Sequence, residues 1–63
     1  MQKNAHGYVQ DSCTALNQAV DCLHHAAQTV EKPENRQRIE QSLQTLEQAL
    51  KSCVTTEQVL ASE

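Results

Sequence analysis

The chain has almost no aromatic side chains: one Tyr, no Phe and no Trp among 63 residues. Its core must come from Leu, Val, Ile, Ala and Cys. It holds one Gly and one Pro, and so few breakers exclude an all-β domain, which needs turn residues at regular spacing. Basic residues are scarce as well. Five Lys and Arg stand against eight Asp and Glu, a net charge of −3. Such a chain lacks the electrostatic footprint for nucleic acid or for an anionic membrane surface. No apolar run approaches the ~18 residues of a membrane-spanning helix. The polar stretch Met1 to Gln10 has no apolar segment of the kind a secretory signal needs. Three cysteines are an odd number, which suits a reducing compartment better than a disulfide framework. The cytoplasm is the expected location.

What remains is rich in Ala, Gln, Glu and Leu, which are helix formers. Residues 1–7 show no periodicity and read as a flexible tail, leaving 8–63 as the folded domain. Val9, Cys13, Leu16, Val20, Leu23, Ala27 and Val30 are spaced by 4, 3, 4, 3, 4 and 3. This is an apolar seam of helical period, and it predicts a helix over about 9–31. A second stripe runs beside it: Tyr8, Ser12, Ala15, Ala19, Cys22 and Ala26. The remaining arc of Gln10, Thr14, Asn17, Gln18, Asp21, His25 and Gln28 is polar.

Pro33 disfavours helical backbone at Lys32 and cannot donate to a continuing helix. At the first position of a new helix it is well tolerated. A turn near 32–34 follows, then a helix over about 34–53 with Ile39, Leu43, Leu46, Leu50 and Cys53 spaced by 4, 3, 4 and 3. Ser42, Thr45 and Ala49 flank that seam. Thr55 with Gln58 three residues later has the form of a capping box. It offers two outcomes, a short third helix over 56–62 or a second helix that simply runs on.

The two seams pair as an antiparallel hairpin. Ala27 faces Ile39, Leu23 faces Leu43, Val20 faces Leu46, Leu16 faces Leu50 and Cys13 faces Cys53, and the residue numbers in each pair add to 66. Independent drift of the two seams would not keep that constant. A lone hairpin is still a poor fold, because a chain this short buries only ~60% of its unfolded surface. The expected assembly is therefore all-α: two hairpins forming a four-helix bundle as a homodimer. The expected interface is Ala15, Ala19, Cys22, Ala26, Ser42, Thr45 and Ala49.

Few residues offer chemistry. Cys13 and Cys53, facing each other across the seam, are a candidate redox pair. Asp21, His24 and His25 are the available metal ligands, but a zinc site needs three or four converging groups. No C-x-x-C, Gly-rich phosphate loop, Ser beside a plausible base, or Glu-x-x-His is present, so neither an enzyme nor a cofactor is expected. The leading functional expectation is a non-enzymatic helical protein–protein interaction or regulatory module. The alternative, from a different class, is a thiol- or metal-responsive sensor using Cys13, Cys22, Cys53, His24 and His25.

Overall fold

The computed structural model describes residues 3–62, which form two helices and no strand. Helix α1 is Ala5–Thr29 and helix α2 is Pro33–Ala61. They lie against each other as the expected hairpin. Among the described residues no helix is long and apolar enough to cross a membrane. Met1 and Gln2 of the expected tail, and Glu63 at the end of the expected domain, lie outside the described residues.

Helix α1 starts earlier than its apolar seam. Asn4 is the N-cap: its backbone is extended and its side-chain oxygen accepts from the Gly7 N–H at 2.9 Å. This satisfies one of the amides that the first turn leaves unpaired. The expected tail is therefore corrected from Ala5 onward, because a cap rather than apolar periodicity sets this boundary.

The other end of α1 stops at Thr29, two residues short of expectation. Val30 and Lys32 are extended, with ψ of 140° and 129°, and Lys32 thereby takes the backbone that the residue before a proline prefers. Pro33 then opens α2 with Glu34 in its first turn, where the helix dipole favours a carboxylate. No basic residue of α1 stands in its own last turn. Arg36 reaches back from α2 instead. Its Nε donates to the Ala27 carbonyl at 3.2 Å and its Nη2 to the Val30 carbonyl at 3.3 Å. One guanidinium thus satisfies two carbonyls at the end of α1 and supplies the cation that this terminus favours.

Helix α2 is continuous to Ala61, so the separate helix over 56–62 is not formed. Thr55, the cap of that expected helix, and its neighbour Thr56 turn their hydroxyls back along the chain. Thr55 Oγ1 donates to the Lys51 carbonyl at 3.1 Å and Thr56 Oγ1 to the Ser52 carbonyl at 3.0 Å. Bonding to the carbonyl four residues back accommodates a hydroxyl within a helix, and it removes the cap that would have started a new one.

The seam is where the sequence pattern places it. Val20 and Leu43 are buried, at 7% and 5% exposure. Every other seam residue is half-buried, from Val9 and Cys13 on α1 to Ile39 and Cys53 on α2. The molecule measures 46 × 21 × 11 Å with a radius of gyration of 14.6 Å. A globular chain of this length has a radius near ~11 Å. The hairpin is one layer of helix deep, whereas stable domains bury apolar faces between two.

Leu43 sits where a charge would find neither water nor a partner. Leu43→Asp is expected to abolish cooperative thermal melting by circular dichroism. Gln44→Asp, one residue away on the exposed face, should stay within about 0.5 kcal/mol of the parent.

Candidate functional site

Two regions concentrate what could act on another molecule: the open end of the hairpin, opposite the turn, and one uncovered face. At the open end the helices are joined by polar side chains. His6 Nε2 and Glu57 Oε1 lie 2.8 Å apart, both partly buried. Gln10 Nε2 also approaches Glu57 Oε1, at 3.4 Å. Neither His6 nor Glu57 stands out in the apolar pattern. Glu57 could have been noticed, because it falls one turn beyond Cys53 and so continues the α2 seam. Lys3 pairs with Asp11 nearby and stands 5.8 Å from the Tyr8 ring centre, an exposed arrangement that contributes little.

Below this polar closure lie the two seam cysteines. Both are half-buried and both are free thiols. Cys53 Sγ is 3.6 Å from the Val9 carbonyl oxygen, so it reaches across to the α1 backbone one turn before Cys13. The Cys13 thiol is pushed from the ordinary 9.0 up to about 11. Its hydrogen bond with Cys53 is the largest cause, burial adds to it, and negative charge at Cys53 and Glu57 adds further. The neutral thiol is the favoured form in this setting, so thiolate chemistry at Cys13 is suppressed at neutral pH. The structure brings Cys13 and Cys53 near each other. It leaves Cys22 exposed on the other side of α1.

The metal candidates are not brought together. Asp21, His24 and His25 are all exposed. Among the described residues no group of three or more His, Cys, Asp or Glu side chains is placed to hold an ion.

The uncovered face is built by the two flanking stripes. On each helix the stripe precedes its seam by roughly a quarter-turn in the same rotational sense. Because the helices are antiparallel, that shared sense puts both stripes on one side of the layer. Ala19 and Ala26 are half-buried there, while Ser12, Ala15, Cys22, Ser42, Thr45 and Ala49 are exposed. Tyr8 stands at the open end of this face with 61% of its surface exposed. Thr45 keeps its hydroxyl occupied by donating to the Gln41 carbonyl at 3.2 Å. None of these nine residues is charged. The opposite side of the layer carries Asp21, Glu40, Glu47 and Lys51, with Val54 among them at 41% exposure.

Comparison of the chain with protein-family models, with curated proteins and with solved structures returns no match.

A thiol whose folded pKa is raised contributes stability that is full below its unfolded value and lost as pH rises through the folded one. For Cys13 that window lies between 9.0 and about 11. Urea denaturation followed across this range should show stability falling with pH, and Cys13→Ala should flatten that part of the profile.

Proposed function

We propose that the chain is a small, non-enzymatic helical interaction module that acts through its uncovered neutral face. The thinness of the core carries this reading. Two buried side chains, Val20 and Leu43, cannot offset the conformational entropy of ordering some sixty residues, which costs on the order of 1–2 kcal/mol each. A second layer laid on the open face would add the missing burial. The four-helix bundle expected of two hairpins is an assembly that supplies it. The scarcity of basic residues argues for a protein partner over a nucleic acid. Three free thiols suit a reducing compartment such as the cytoplasm.

A second reading has one specific observation in its favour. Cys13 and Cys53 are two free, half-buried thiols at neighbouring places on the seam, near enough for Cys53 to raise the Cys13 pKa, which supports a thiol-responsive sensor. Oxidation by a disulfide such as glutathione disulfide would join the two sulfurs and staple the open end. Incubation with that oxidant and mass measurement without reductant would show the loss of two hydrogens. An unchanged mass would remove the sensor reading.

The interaction reading is tested by melting the protein over a wide range of concentration. A module that needs its face covered shows a midpoint that rises with concentration or with added partner. A monomer that melts cooperatively at one temperature throughout would overturn it, because such a hairpin needs nothing on its face.

A further inference from the structure

The occupant of the uncovered face follows from how much surface the hairpin leaves exposed. The chain exposes 5016 Å². A folded monomer of its 7.0 kDa exposes only ~4,000 Å² by the usual scaling of surface with mass. The excess is ~1,000 Å², and a standard stable interface takes ~800 Å² from each partner. One interface of ordinary size would therefore return the hairpin to the surface expected of a folded protein.

The face is also suited to meeting a copy of itself. Its nine residues carry no charge, so two copies can approach without burying like charges against each other. Ala15, Ala19, Ala26 and Ala49 hold both backbones open to close packing, as small residues do at helix interfaces. Ser12 Oγ donates to the Tyr8 carbonyl at 3.0 Å and Thr45 Oγ1 to the Gln41 carbonyl. Their hydroxyl protons are already placed, so covering them leaves no unmet donor. Arg38, one turn before Ser42 and exposed, falls at the turn end of the face, where a rim charge stays wet.

We propose that a second copy of this chain covers the face, enclosing the stripe from Tyr8 to Ala26 together with Ser42, Thr45 and Ala49. The two layers then form a closed two-fold dimer with a continuous core. This rests on the interaction-module reading and names its partner. Cys22 lies on the same face and is exposed in the single hairpin, so it reports whether the face is covered.

Sedimentation equilibrium of the full chain in reductant, paired with Cys22 alkylation followed by peptide mass mapping, tests the dimer. The expected result is a mass of two chains and slower Cys22 labelling as concentration rises. Above the dissociation constant the free-monomer fraction falls as the square root of concentration, so a hundredfold increase should slow labelling by ~10-fold. Ala19→Asp should give a single-chain mass and concentration-independent labelling, while Asn17→Asp, on the solvent-facing arc, should remain a dimer. A dimer with Cys22 labelled at a constant rate, or one that survives Ala19→Asp, overturns the proposal, since the copies would then meet elsewhere. A wild-type monomer that melts cooperatively overturns both this proposal and the interaction-module reading. A wild-type monomer that is only partly helical and melts without cooperativity overturns the second copy alone, because the face then awaits a different partner.

Discussion

Everything in this hairpin depends on one line of apolar contact, centred where Val20 and Leu43 are shut away from water. The seam is continuous because both helices keep a strict alternation of four and three residues. It is narrow because the residues beside it are Ala, Ser, Thr and Cys instead of Leu or Ile. A wider stripe of large side chains would have exposed a sticky surface in the single chain. A stripe of small neutral ones keeps that exposure low and lets another backbone come close. The same economy leaves the hairpin one layer thick, and that thickness is the reason for placing its role in association and not in a pocket.

Much of the fold was legible in the residues. The seam residues, the antiparallel hairpin and the turn beside Pro33 follow from periodicity and from the chemistry of one imino acid. The boundaries were less legible, and each miss has its own physical cause. Asn4 starts α1 with a side-chain cap that no apolar pattern announces. Thr55 and Thr56 look like breakers, yet each hydroxyl finds a carbonyl four residues back and the helix carries on. Arg36 reads as an ordinary surface cation until the turn brings the end of α1 within its reach.

The candidate site was legible in the same uneven way. The facing of Cys13 and Cys53 follows from the register. The closure of His6 on Glu57 does not, since a charged residue continuing an apolar seam is legible only once its partner on the other helix is known. Asp21, His24 and His25 are near one another in sequence, but the structure leaves them in water without a converging third ligand. Adjacency along a helix differs from convergence in space, and metal chemistry needs the second.

The two ends of the hairpin are held in unlike ways, and this sets an order of events in folding. Arg36 contacts a carbonyl 9 residues away, whereas His6 meets Glu57 across 51. For a flexible chain, closing the longer loop first costs about 1.5 kcal/mol more than closing the shorter one. Contacts near Pro33 therefore form early, and the seam zips outward from the turn, each step shortening the loop that the next must close. Such a path relies on local contacts and belongs with the fast end of the folding spectrum. The polar fastening at the open end then acts as a latch, engaged last and released first.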